Sequence, residues 1–132
     1  MKAKDGRFLS RRLKNSKLRN KRVCIDGVSF ASKLEAAVYL ELKLSIRSGF
    51  LEILEYQPRV YLTDAHILYI PDFKCLDRRS NNVFFVEAKG FETTDWKIKK
   101  RLWLHYGPAT LQIWKGSFKR PSLSHIIEPQ KN

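Results

Sequence analysis

The spacing of apolar residues along the chain changes from strand-like to helix-like shortly after residue 30. Before that point, two short β-prone segments over residues 22–25 and 28–30 flank Asp26-Gly27, a dipeptide typical of a tight hairpin turn. After it, apolar residues recur every three or four positions from about 33 to 48, behind the N-cap candidate Ser32. This pattern predicts a hairpin followed by a helix.

The rest of the chain carries short β-prone runs on both sides of a second helical pattern. Strands are predicted over about residues 50–56, 59–63, 67–76, 83–88 and 110–114, and a helix over about 94–106. Within that helix, Ile98, Leu102 and Tyr106 are predicted to form the buried stripe. A hairpin, a helix, consecutive strands, a helix and a strand, in this order, predict an α/β fold: a single domain with a mixed β-sheet flanked by helices.

Charge and patterning divide the 132 residues into three predicted parts. Residues 1–21 form a basic N-terminal arm, in which lysine and arginine dominate and apolar residues are few. Residues 22–116 carry the predicted elements and have the length of one domain. Residues 117–132 follow as a basic C-terminal tail with weak patterning.

The chain has a formal net charge of +13, which favours a polyanionic partner such as nucleic acid. A membrane partner is not expected, because no apolar run approaches the roughly 20 residues that span a bilayer. Cys24 and Cys75 are far apart in sequence and form no Cys-x-x-Cys pair. We therefore expect two reduced thiols in a cytoplasmic protein.

Three charged residues lie where two predicted strands meet. Asp72 follows Pro71, while Glu87 and Lys89 end the apolar run that begins at Val83. The polar segment between these strands predicts a hairpin that pairs them, and residues two apart in a strand project from the same face. The two carboxylates and the lysine are therefore expected to converge.

Such a group suits hydrolysis of a phosphodiester bond. Mg²⁺ keeps several waters, so Asp72, Glu87 and a backbone carbonyl, that of Ala88, are enough to hold it beside a substrate phosphate. Lys89 would orient or deprotonate the attacking water and offset phosphate charge. Simpler interpretations remain open: Asp72 could be a turn residue, and Glu87 and Lys89 an exposed ion pair worth a few tenths of a kcal/mol.

The motif Pro71-Asp72, a spacer and Glu87-x-Lys89 resembles the PD-(D/E)xK nuclease superfamily. The blocks around it are similar to a group of small phage-encoded nucleases, related to phage endonuclease I and to archaeal-type Holliday-junction resolvases, over about residues 22–115. The matching blocks are Phe30-Ala31-Ser32-Lys33-Leu34-Glu35-Ala36, Gln57-Pro58-Arg59, Tyr69-Ile70-Pro71-Asp72-Phe73 and Val86-Glu87-Ala88-Lys89-Gly90.

The resemblance implies a restriction-endonuclease-like core and a metal-dependent endodeoxyribonuclease, present in the host-cell cytoplasm if the gene is phage-borne. It implies a homodimer that cuts Holliday or other branched junctions with Mg²⁺, for which Mn²⁺ substitutes. It also implies that Glu35 is a further metal or water ligand. Glu35 is equally the third residue of a capping box that begins at Ser32, and this structural role stays open. Gln57 is left outside the metal shell.

Basic side chains near the proposed site are candidates for contacts with DNA phosphates. Lys97 and Arg101 lie one turn apart on the second predicted helix, and Lys33 begins the first, where phosphate is favoured. A run of charges on a helix is also commonly a solvated face. The candidates are Arg11, Arg12, Lys33, Lys97, Lys100 and Arg101. The three tryptophans, Trp96, Trp103 and Trp114, are interpreted as core or dimer residues.

Besides a basic ribosome- or RNA-associated protein, two other functions remain open at this stage. One is a nicking or restriction-like endonuclease that acts on linear duplex DNA. The other is a non-catalytic nucleic-acid-binding module that has kept a nuclease-like fold.

Overall fold

The computed structural model describes residues 22–130, which contain two helices and nine strands. None of the helices in this range is both long and apolar enough to cross a membrane. The helices are α1 (Lys33–Arg47) and α2 (Thr94–Tyr106). The strands are β1 (Val23–Ile25), β2 (Val28–Phe30), β3 (Leu51–Tyr56), β4 (Val60–Leu62), β5 (Ile67–Tyr69), β6 (Phe73–Asp77), β7 (Asn82–Ala88), β8 (Thr110–Lys115) and β9 (Ser122–Ile127).

Five strands form the central sheet in the order β3-β6-β7-β8-β9. Neighbours in this sheet are antiparallel except for β7 and β8, which run parallel because α2 carries the chain back between them. Two short ribbons, β1–β2 and β4–β5, stand outside it. The predicted α/β fold, a single domain with a mixed sheet flanked by helices, is confirmed.

Each face of the sheet packs against its own helix. Because strand residues alternate between the two faces, Val86 of β7 lies in the cluster with α1, whereas Phe85 lies in the cluster with α2. The β4–β5 ribbon joins the second cluster through Leu62 and Tyr69. Of the two cysteines, Cys75 is buried in the first cluster and Cys24 is exposed, and both are free thiols.

Two of the predicted segments differ from the structure. The single strand predicted over 67–76 is two strands in separate sheets, divided at Ile70-Pro71, because a proline has no N–H for a ladder. The segment predicted as a tail from residue 117 contains β9, which pairs with β8 and buries Ile127. The prediction that ended the folded domain at residue 116 is therefore wrong.

The buried face of α2 is also different from the one predicted. Ile98 and Tyr106 are 50% and 55% exposed, whereas Trp96 and Trp103 are buried. The two tryptophan rings form the buried face of α2 in the second cluster, with Leu102 and Leu104 partly buried beside them. The core interpretation of Trp96 and Trp103 is confirmed, and Trp114 is partly buried against the other cluster.

Gly107 is expected to be intolerant of a side chain. An added Cβ would lie 2.6 Å from the ring of Trp103, which is fully buried and donates its indole N–H to the Ala109 carbonyl at 2.8 Å. We expect Gly107→Ala to lower the free energy of unfolding by roughly 1–3 kcal/mol, measured by urea titration. Gly90→Ala is the matched control, because its Cβ would meet Leu34 at 3.8 Å, and a comparable loss there would contradict the prediction.

Candidate functional site

Asp72 is held by hydrogen bonds on both sides of its own backbone. It lies just before β6, where its N–H donates to the Val86 carbonyl at 2.9 Å and its carbonyl accepts from the Gln57 N–H at 2.9 Å. Its side-chain Oδ2 accepts from the Ala88 N–H at 2.7 Å. The carboxylate of Asp72 is thereby fixed beside the end of β7.

Glu87 lies near the end of β7 on the sheet face that α2 covers. It is only 7% exposed, and its Oε1 accepts a hydrogen bond from the Tyr69 hydroxyl at 2.7 Å. The other oxygen, Oε2, lies 3.7 Å from Lys89 Nζ. Glu87 and Lys89 therefore project from the same face, and Glu87 is buried rather than part of an exposed surface pair.

Lys89 is oriented by its neighbours. Its backbone N–H donates to the Trp114 carbonyl at 2.8 Å, which continues the pairing of β7 with β8. Its ammonium lies 4.9 Å from the ring centroid of Trp96, in α2. A cation over an indole face is attracted to it, so Trp96 limits where this ammonium can point.

Glu35 reaches the same group from α1. Its N–H donates to Ser32 Oγ at 3.1 Å, so the first half of the predicted capping box is formed. Its carboxyl group is directed toward the side chains of Asp72 and Gln57 and is buried, with 7% exposure. The helix cap and the contact with Asp72 thus use different parts of the same residue.

Burial raises the pKa of all three carboxyl groups, and repulsion between the acids adds to this at Asp72 and Glu87. Burial is the largest cause for Asp72, whose pKa lies well above its usual range, followed by the charges of Glu87 and Glu35. Burial likewise raises the pKa of Glu35, and it raises that of Glu87 to about 7 against the opposing effects of Tyr69 and Lys89. The positive charge of Lys89 lowers the pKa of Asp72 and Glu87 but does not offset burial and repulsion.

The donor set fits a hard divalent cation by its chemistry. Within residues 22–130, no three or more His, Cys, Asp and Glu side chains stand as a ready-made metal site. However, Asp72 uses Oδ2 and Glu87 uses Oε1 in the hydrogen bonds described above, so each retains a second carboxylate oxygen. Carboxylate oxygens are the ligands that Mg²⁺ prefers, and a cation would relieve the repulsion among the three acids.

Tyr69 and Gln57 also belong to this group, although neither is among the predicted site residues. Tyr69 binds Glu87 only because the β4–β5 ribbon packs on the α2 face of the sheet. No local sequence pattern predicts that packing. Gln57 contacts Glu35 and adopts a left-handed backbone conformation with φ of 52°. Such a conformation costs about 1 kcal/mol or more in a residue other than glycine, and it marks the turn between β3 and β4.

The predicted DNA-contacting residues are not all equally free. Lys97 and Arg101 are exposed on α2, and Lys33 is exposed, with its ammonium 4.9 Å from the ring of Phe118. Lys100 instead pairs with Glu92 at 3.2 Å. Arg11 and Arg12 lie outside the described residues, as does the whole predicted arm. The carbonyl of Ala88 stays a predicted ligand.

Comparison with known proteins gives one match. The model of the family described as "Protein of unknown function (DUF1064)" matches residues 15–119, which is most of the chain. No curated protein and no solved structure matches. The matched segment includes Glu35, Asp72, Glu87 and Lys89. The chain therefore belongs to the DUF1064 family.

Proposed function

We propose that this protein is a Mg²⁺-dependent endodeoxyribonuclease that hydrolyses phosphodiester bonds in branched DNA. The observation that carries the proposal is the burial of three neighbouring carboxyl groups beside one oriented lysine. Buried acids with raised pKa values destabilise a fold, so a group of three points to a function that requires them. The net charge of +13 supports a polyanionic substrate.

Each residue of the site has a role in this proposal. Asp72 and Glu87, assisted by Glu35 and the Ala88 carbonyl, would hold Mg²⁺, or Mn²⁺ in its place. When bound, the ion supplies Lewis acidity at the scissile phosphate. Lys89 orients the water that attacks in line and offsets the developing charge, and cleavage of the P–O3′ bond leaves a 5′-phosphate.

Tyr69 and Trp96 keep this arrangement in place. The Tyr69 hydroxyl holds one oxygen of Glu87, which leaves the other toward Lys89. The ring of Trp96, 4.9 Å from the lysine ammonium, restrains that ammonium as well. Such restraint lowers the entropy that the site loses when substrate and water must be aligned.

The preference for branched DNA rests on the resemblance of the four sequence blocks to junction-resolving nucleases. Resolution of a four-way junction needs two cuts, and two identical sites related by a twofold axis would supply them. A homodimer is therefore part of the proposal.

Cleavage of a DNA panel tests the function directly. Four-way, flapped, nicked and linear DNAs of one sequence, with an RNA of that sequence, are incubated with Mg²⁺ or with EDTA. We expect cleavage of the four-way junction in Mg²⁺ that exceeds cleavage of linear duplex by about tenfold or more, and none in EDTA. Preferred cutting of linear duplex would favour the nicking or restriction-like enzyme, and tight binding without metal-stimulated cleavage would favour a non-catalytic module.

A further inference from the structure

Glu92 holds two lysines together a short distance from the proposed site. Its Oε1 lies 3.2 Å from Lys100 Nζ in α2, and its Oε2 accepts a hydrogen bond from Lys115 Nζ at the end of β8. Lys115 and then Lys100 lower the pKa of Glu92 to about 2. One carboxylate is thus bound by two ammonium groups, each on a different oxygen.

Two ammonium groups, those of Lys100 and Lys115, pair with the single carboxylate of Glu92, so this cluster has an excess of positive charge. His125 of β9 lies near both lysines, and its pKa is lowered by burial first and then by Lys100 and Lys115. The lysine side chains are only 27% and 36% exposed. An anion bound between these ammonium groups is therefore screened less by water and salt than one on an open surface.

The cluster is close to the proposed active site in the chain and in space. Glu92 follows Lys89 by three residues, and Lys115 follows Trp114, whose carbonyl binds the Lys89 N–H. Between Lys89 and Glu92, the ring of Phe91 is 77% exposed. A DNA strand that reaches Lys89 would therefore pass beside these lysines.

We propose that Lys100 and Lys115 form a phosphate subsite for the DNA backbone next to the cleavage site, and that Glu92 occupies it as an internal competitor until DNA binds. The two non-bridging oxygens of a phosphodiester offer the same pair of charged acceptors as the carboxylate. The subsite rests on the proposed function, because its ligand is the substrate DNA.

A purely structural role for Glu92 leads to different expectations. If the cluster only clamps the loop after Lys89, removal of the carboxylate loosens that loop and leaves two lysines to repel each other. DNA affinity would then stay level or fall. If Glu92 competes with phosphate, its removal instead raises the affinity for DNA. The two lysines can then bind a DNA phosphate without first releasing the Glu92 carboxylate.

The test compares Glu92→Gln with Glu52→Gln, which raises the net charge by the same amount. Glu52 pairs with Arg78 at 2.7 Å in β3, toward the end of that strand away from Asp72. Binding of a fluorescent four-way junction is measured by anisotropy in EDTA, where no cleavage is expected. We expect Glu92→Gln to bind about 5–20-fold more tightly than the parent and Glu52→Gln to stay within about threefold.

Two further variants test whether Lys115 contacts the DNA phosphate. In the Glu92→Gln background, Lys115→Gln should return the affinity toward the parental value. It should also reduce the slope of log K against log salt concentration by about 1, as expected for the loss of one phosphate contact. In the parent, Lys115→Gln alone should weaken binding about threefold. This single variant keeps the test decisive if Glu92→Gln fails to fold, which its melting temperature reports.

Equal affinities for Glu92→Gln and Glu52→Gln, with a parent that binds and cuts DNA, would overturn the subsite and leave the proposed function standing. An unchanged affinity of Lys115→Gln would do the same. A parent that binds no DNA would overturn both.

Discussion

Asp72→Asn is expected to reduce Mg²⁺-dependent cleavage of a four-way junction by about 10³-fold or more. The change removes one of the charges that would hold the ion, which is worth several kcal/mol to the transition state. It keeps the size of the side chain and an oxygen that can accept from the Ala88 N–H. The fold should therefore survive with at least the parental stability, because asparagine has no charge to bury.

The matched control for Asp72→Asn is Asp77→Asn. Asp77 closes the opposite end of β6, where its carboxylate accepts from the Arg79 N–H at 2.9 Å, far along the strand from Glu87. We expect this variant to cut at the parental rate. Initial rates on the junction and the far-ultraviolet circular dichroism of both variants give the comparison. Cleavage by Asp72→Asn within tenfold of the parent would contradict the assignment of the site.

The second large effect is on stability: without metal, the protein should unfold more easily at pH 8 than at pH 5.5. The pKa of Glu87 is about 7 in the folded protein and near 4.5 when exposed, so the folded state binds more protons between these values. Stability therefore falls as the pH rises through this window. Asp72 and Glu35 act in the same direction. The loss is roughly 2–3 kcal/mol, or about 10 °C in melting temperature.

The other residues with shifted pKa values can be distinguished from Glu87 in this measurement of stability against pH. The lowered pKa values of Asp26 and Glu92 contribute stability that is lost only below about pH 4.5, outside the window. His125, with a lowered pKa, changes stability in the opposite direction, so the parent is compared with Glu87→Gln, which retains His125. Thermal unfolding in EDTA should show a pH dependence that is weaker in Glu87→Gln than in the parent, with the remainder due to Asp72 and Glu35.

Addition of Mg²⁺ should reverse the loss at pH 8. An ion that binds only the folded protein raises its stability, and it does so most when the carboxylates are ionised. At pH 5.5 the ion has to displace protons, so its effect should be smaller. A melting temperature that stays the same with Mg²⁺ at pH 8 would argue against a metal site among these acids.

Much of the fold follows from local patterns in the sequence. α2 begins and ends at the predicted residues, 94 and 106, because Thr93 caps it and Gly107-Pro108 stops it. The meeting of Asp72 and Glu87 follows from the polar turn that pairs β6 with β7. β9 is different, since the sequence of Ser122–Ile127 has few apolar residues on its inner side and owes its place to pairing with β8.

The parts of the site that could not be predicted depend on distant contacts. The bond from Tyr69 to Glu87 joins residues 18 apart through a ribbon outside the main sheet. The contact of Glu35 with Gln57 requires α1 and the end of β3 to meet above Asp72. Neither meeting is encoded in spacing along the chain, because each results from how the layers pack.

The β4–β5 ribbon connects an outer turn of the molecule to the proposed site. Its second strand ends at Tyr69, three residues before Asp72, and Lys99 of α2 binds its Leu68 carbonyl at 3.1 Å. A displacement of the ribbon would therefore reach two of the acids at once, one through a hydroxyl and the other through the main chain. Substitutions at its outer turn, around Thr63–His66, are therefore expected to alter the proposed cleavage while the five-stranded sheet keeps its melting temperature.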